Sequence, residues 1–223
     1  MLPWGYFFYI AAGFAAGSVL FSYWLPKLLC GVDVLVQSED RNPGTANAMK
    51  LAGVPVGTLC LVCDIAKGFV PVFLASLRLN EWNPLFGVVM AAPVLGHAFS
   101  PMLRGKGGKA IAVSFGVLLG VARLRPDLLV CLAVLFVFFS VVLVLKPHSF
   151  RSIATYGLFA AYALAAVRPS SLVIGVVTMA AVVIIKHILH GERAPWRMRF
   201  LPWLTEPKPK ENPPAPAPES HGK

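Results

Sequence analysis

The stretch Gly53–Leu77, GVPVGTLCLVCDIAKGFVPVFLASL, decides the fold class. It carries only two charges, Asp64 and Lys67, and it exceeds the roughly 20 apolar residues that an α-helix needs to cross a bilayer. Its charges stand three apart, so on a helix they meet on one face and offset part of each other's cost. A structural ion pair is the plainer reading of them.

Working outward, further apolar stretches fall at 4–25, 84–103, 110–122, 127–145, 150–167 and 171–189. The chain is therefore expected to be an all-α integral membrane protein with about seven transmembrane helices. Composition agrees: 57% of the 223 residues are hydrophobic and only 13% charged, with a mean hydropathy of +0.71. A typical soluble domain is roughly 45–50% apolar, so lipid must be part of this chain's solvent.

The net charge of +10 does not point to nucleic acid, because the basic residues sit in short breaks between apolar runs. They fix orientation instead. With the N-terminus outside, inside segments collect Lys27, Arg41, Lys50, Arg104, Lys106, Lys109, Lys146, Arg151, Lys186 and the basic residues of the C-terminal segment. Only Arg78, Arg123, Arg125 and Arg168 fall outside. A cytoplasmic C-terminus follows. Residues 1–205 read as one membrane domain, and 206–223, rich in Pro, Lys and Glu without apolar periodicity, as a disordered cytoplasmic tail. Cys60 and Cys63 form a CxxC with no second pair to complete a zinc site, so no metal is expected.

Chemistry collects on the inside face. Asp40-Arg41-Asn42-Pro43-Gly44-Thr45-Ala46-Asn47-Ala48-Met49-Lys50 combines turn formers with a cation, a setting in which backbone N–H groups attract anions. Gly96-His97, then Arg104-Gly105-Lys106-Gly107-Gly108-Lys109, brings glycines that admit close approach and lysines that reach a phosphate. Lys109 stands where a helix is expected to begin, a favoured phosphate position. The GxxxxGK[ST] spacing of a P-loop is absent. His187 and Glu192, at the end of the last span, have the HxxxxE spacing, close to the HxxxxD pair of many acyltransferases. A helix-end histidine also serves the helix dipole.

The order Gly17-Ser18, Asn-Pro-Gly-x-x-Asn, Asp-Ile-x-Lys-Gly, Gly-His, Lys-Gly-Gly-Lys resembles the PlsY family over about residues 15–120. These are acyl-phosphate-dependent glycerol-3-phosphate acyltransferases of bacterial membranes. The resemblance implies seven helices in the bacterial plasma membrane and an active site open to the cytoplasm. It also implies acyl transfer from acyl phosphate to the 1-hydroxyl of glycerol 3-phosphate, without metal, coenzyme A or other cofactor. Carried over by position, Asn42, Pro43, Gly44 and Asn47 match the first motif, with Lys50 where the family has Arg. Asp64, Lys67 and Gly68 match the second, and Gly96, His97, Lys106, Gly107, Gly108 and Lys109 the phosphate-holding third.

The chain departs from the pattern in four places. Asp40-Arg41 stands where the family has Ser-Gly, Ala110 replaces a glycine, Pro101 is displaced by one place, and of the closing motif only Gly191-Glu192 remains. These leave the donor side intact and change the acceptor side, where His187 and Glu192 are the candidates. Asp40, beside Arg41 and Lys50, is the candidate proton acceptor, alongside His97 and Lys109 as catalytic residues. Two other classes stay open: a homologue using another polyol phosphate, and a transporter or non-catalytic lipid-binding protein. Absence of an inverted repeat and the one-sided polar clustering speak against transport.

Overall fold

The computed structural model describes residues 4–191 and 195–201; the expected tail and Glu192 lie outside them. Each expected apolar stretch carries a helix. α1 (Trp4–Ser18) and α2 (Phe21–Cys30) share the first, α5 (Val54–Ser76) holds the second and α6 (Leu85–Ala98) the third. α7 (Ile111–Val121), α8 (Pro126–Val137), α9 (His148–Ala166) and α10 (Ser170–Leu189) follow. Two short helices, α3 (Val34–Gln37) and α4 (Thr45–Ala52), fill what reads as a loop in sequence. Among the described residues α5, α10 and the α6 segment to Leu103 are each long and apolar enough to cross a membrane alone, and α1 with α2 qualifies as a bent pair at 40°. α7 and α8 are shorter.

Exposure agrees with a lipid surround. Val62, Val70, Val130, Val134, Ile174 and Ile185 are all more than 40% exposed, far more apolar surface than water tolerates. The packed interior is built from residues such as Phe86, Met90, Leu118, Leu132, Tyr156 and Phe159, each fully buried. α5 packs closely on α7, because Gly68 and Gly116 bring the two backbones together. A Cβ on Gly68 would strike the Val113 carbonyl, and one on Gly116 the Ile65 carbonyl, the small-residue contact that membrane helices use.

The first span breaks between Ser18 and Phe21, and the break is put to use. Two carbonyls that it frees from helical bonding are taken up by side chains of other elements. Ser100 Oγ donates to Ser18 O at 2.6 Å, and Lys67 Nζ to Val19 O at 2.6 Å. Unpaired carbonyls in a membrane interior are costly, so these bonds hold the bend.

One stretch departs from the all-α expectation. The helix expected over 127–145 ends at Val137, passes through a π-turn at Phe138–Val142, and becomes strand β1, Leu143–Lys146. β1 pairs antiparallel with β2, Arg197–Phe200, in the register Leu143↔Phe200 and Lys146↔Arg197. The run Val141-Val142-Leu143-Val144 is rich in β-branched residues that suit a strand, and Pro147 stops either structure. Hydropathy alone does not separate the two outcomes.

Candidate active site

Two helix starts converge on one cavity of about 420 Å3. The first is that of α4. Gly44 caps it, and the turn before it is organised by Asp40. Asp40 Oδ1 accepts from Asn47 Nδ2 at 2.7 Å and from the Asn42 backbone N–H at 3.3 Å. Asn47 Nδ2 also donates to Asn42 O at 2.9 Å. The second start is that of α7, where Lys109 and Ala110 lead into the helix. Gly44, Thr45 and Asn47 from one start, and Lys109, Ala110 and Ile111 from the other, line the same space. Both helix dipoles therefore point their positive ends into it.

The two starts are joined by one contact. Lys109 Nζ donates to Asp40 Oδ2 at 2.8 Å. Burial alone would raise the Asp40 pKa, but hydrogen bonds from Lys109 and Asn47 outweigh it and hold the carboxyl below the ordinary 3.8. Asp40 thus pairs across the fold with Lys109, although Arg41 and Lys50 are its neighbours in sequence. Asp40 accepts at one oxygen from Asn47 and the Asn42 amide and at the other from Lys109.

Below the cation lies a buried polar floor. Ser22 Oγ donates to Asp64 Oδ2 at 2.7 Å, and Lys67 Nζ sits 2.8 Å from Oδ1 as an ion pair. The i, i+3 pairing read from sequence is thus present, and Asp64 also lines the cavity. His97 is buried beside it, its Nδ1 4.0 Å from Asp64 Oδ1, too long for a hydrogen bond.

Lys106, Gly107 and Gly108, expected at the phosphate, are not among the residues that line this cavity. Lys106 is exposed. The Gly107 and Gly108 N–H groups are already committed, to Gly105 O at 3.2 Å and His97 O at 3.1 Å. Both glycines pack closely on His97. A Cβ on Gly107 would strike the His97 carbonyl, and one on Gly108 the His97 imidazole. They let the strap to Lys109 cross His97 with no gap.

His187 is brought in from the far end of the chain and lines the cavity, fully buried. Its Nδ1 is 2.8 Å from Val183 O. A carbonyl only accepts, so Nδ1 carries the proton, and Nε2 is a buried atom without a protein partner. The cavity also takes in Lys50, Thr45 and His148, while Leu61, Ile65, Phe115 and Phe136 form its apolar side. Sequence reasoning missed His148 and the two phenylalanines, because no local signal marks a wall assembled from three elements. Pro147-His148 at a helix start was the one available hint. Among the described residues no group of three or more His, Cys, Asp or Glu side chains is arranged to hold a metal.

The family model described as glycerol-3-phosphate acyltransferase matches residues 7–194. The glycerol-3-phosphate acyltransferase of Trichlorobacter lovleyi is 36% identical over 180 residues, 81% of this chain and 89% of that protein. That of Maridesulfovibrio salexigens is 36% identical over 115 residues, 52% of this chain. That match spans 58% of the relative's length, so the chain covers little more than half of several relatives it resembles. Among solved structures, the glycerol 3-phosphate form of PlsY, an integral membrane glycerol 3-phosphate acyltransferase, superposes with a TM-score of 0.71 at 24% identity. That alignment covers 82% of this chain and 88% of that one, a shared membrane fold. This chain belongs to the glycerol-3-phosphate acyltransferase family.

Proposed function

We propose that this protein transfers a fatty acyl group from acyl phosphate to glycerol 3-phosphate, giving lysophosphatidate and inorganic phosphate. The observation that carries the reading is a single cavity with two unlike ends. One end holds Lys50, Lys109 and the starts of α4 and α7, with Asp40 and Asp64 each paired to a lysine; the other is apolar, with Leu61, Ile65, Phe115 and Phe136. A donor with a phosphate head and a hydrocarbon tail fits that polarity.

In this reading the donor phosphate lies against Lys109 and the α7 start, displacing Asp40 from the ammonium. The hydroxyl of glycerol 3-phosphate attacks the acyl carbonyl carbon. The hydroxyl proton goes to His187, a cavity-lining residue whose Nε2 has no protein partner. The C–O bond to phosphate breaks, and the phosphate leaves with the bonding pair, stabilised by the fixed positive groups that held it. Lys50, at the cavity edge, meets the acceptor phosphate. His97 positions the Gly107–Gly108 strap, and Asp40 positions Lys109 between turnovers.

The membrane arrangement proposed with this places seven spans: α1 with α2, then α5, α6, α7, α8, α9 and α10. The N-terminus lies outside, the C-terminus and the site in the cytoplasm of a bacterial cell, and the host bilayer is the plasma membrane. Purified protein incubated with palmitoyl phosphate and labelled glycerol 3-phosphate tests the chemistry. Labelled lysophosphatidate is expected; flux of the label into liposomes without product makes the protein a transporter, and product only with another polyol phosphate changes the acceptor. A cysteine at Ser220 that reacts with an impermeant reagent in intact cells overturns the topology.

A further inference from the structure

A second cavity, of about 450 Å3, opens beside the first. Its charged lining comes from separate elements: Lys146 from β1, Arg151 from α9 and Arg197 from β2, with His148 at the boundary. Among its described lining residues there is no carboxylate. His148 lines both cavities, so the two are neighbours.

The strand pair that builds this cavity has two unlike faces. Residues opposite one another in an antiparallel ladder share a face. The register therefore groups Lys146 with Arg197 and Val144 with Arg199 on one side, and Leu145 with Met198 and Leu143 with Phe200 on the other. One side is cationic and the other wholly apolar. Met198 and Phe200 are 57% and 63% exposed. Trp196, just before β2, stacks on Phe150 with ring centroids 6.4 Å apart. Exposed Trp, Met and Phe beside arginines are what the boundary between headgroups and acyl chains selects.

We propose that the cavity between Lys146, Arg151 and Arg197 is a headgroup site for an anionic membrane phospholipid. The phosphodiester lies among the three cations, and the acyl chains lie along the apolar face of the ladder. Charge complementarity chooses an anionic lipid over a zwitterionic one, and the adjoining apolar face chooses a lipid over free phosphate. This site is separate from the acyl-transfer cavity, and its occupant undergoes no reaction.

The test reconstitutes full-length protein in phosphatidylcholine vesicles with a trace of spin-labelled phosphatidylglycerol or spin-labelled phosphatidylcholine. The motionally restricted fraction of each label measures preference. Wild type is expected to prefer phosphatidylglycerol, and Lys146→Gln with Arg197→Gln to reduce that preference by roughly fivefold per charge removed. Lys146→Arg with Arg197→Lys should restore it, which separates charge from folding. Equal preference in wild type and the Gln variant overturns the proposal. So does its loss on adding millimolar inorganic phosphate at constant ionic strength, which makes the cavity a free-phosphate site. Acyl transfer is read in parallel, so failure of the lipid site and failure of the proposed reaction are told apart.

Discussion

Lys109 Nζ lies 2.8 Å from Asp40 Oδ2 although the residues are 69 positions apart in the chain. The ammonium at the start of α7 is thereby already neutralised by a carboxylate from the turn before α4. An anionic donor must therefore compete with Asp40 for Lys109, and the first two predictions follow from that competition.

Lys109→Ala should leave the protein inserted and folded while raising KM for acyl phosphate. A hydrogen bond to a charged group contributes about 1.5–3 kcal/mol, or roughly ten- to a hundredfold at about 1.4 kcal/mol per decade. Steady-state kinetics with palmitoyl phosphate measures it. An unchanged KM would reduce Lys109 to a topological charge.

Asp40→Asn keeps an acceptor for Asn47 and removes the competitor for Lys109. We expect KM for acyl phosphate to fall, by up to about tenfold, with kcat retained. A loss in kcat would instead make Asp40 the proton acceptor. The pH dependence is fixed in sign. Because the folded-state pKa lies below 3.8, the pair's stabilisation is present above the unfolded value and is lost as pH falls through the lowered folded value. The difference between the melting temperatures of wild type and variant should shrink as the pH falls below the ordinary carboxyl value of 3.8.

His187→Gln should lower kcat by about a hundred- to ten-thousandfold, the usual contribution of a positioned base, with much smaller effects on either KM. The acid limb of the kcat–pH profile should vanish with it. A variant that keeps both kcat and the limb would place the proton acceptor elsewhere, for instance on the acceptor phosphate.

Gly108→Ala puts a methyl group against the His97 imidazole and 3.0 Å from the Pro43 carbonyl. Overpacking of this kind costs about 1–3 kcal/mol. The strap must move, carrying Lys109 with it, so a lower Tm and a raised donor KM should appear together. Loss of Tm alone would mean that the strap has no part in placing Lys109.

Ala110→Gly should do the reverse. Ala110 sits at φ +63°, in the left-handed region, which costs a residue with a Cβ about 1–2 kcal/mol. Glycine removes that strain at an entropic cost of about 0.4–1 kcal/mol, leaving a modest gain in Tm. A fall in Tm would show that the Ala110 methyl, buried here, contributes more by packing than its backbone costs.

The sequence alone determined the membrane class, the positions of the apolar helices, the Asp64–Lys67 pair and the two stretches that begin α4 and α7. These properties are local. A run of apolar residues is bound to leave water wherever its neighbours fall, and Pro-Gly before a helix turns the chain by its own dihedral preferences. The tertiary structure decided which residues meet. It set Asp40 against Lys109, packed Gly107 and Gly108 on His97, and brought His187 to the cavity wall. It also turned Leu143–Lys146 into a strand, because a partner at Arg197–Phe200 was there to take its backbone hydrogen bonds. Contacts of this kind depend on the relative placement of helices far apart in the chain, fixed here by close crossings such as Gly68 with Gly116, and hydropathy carries no record of that placement.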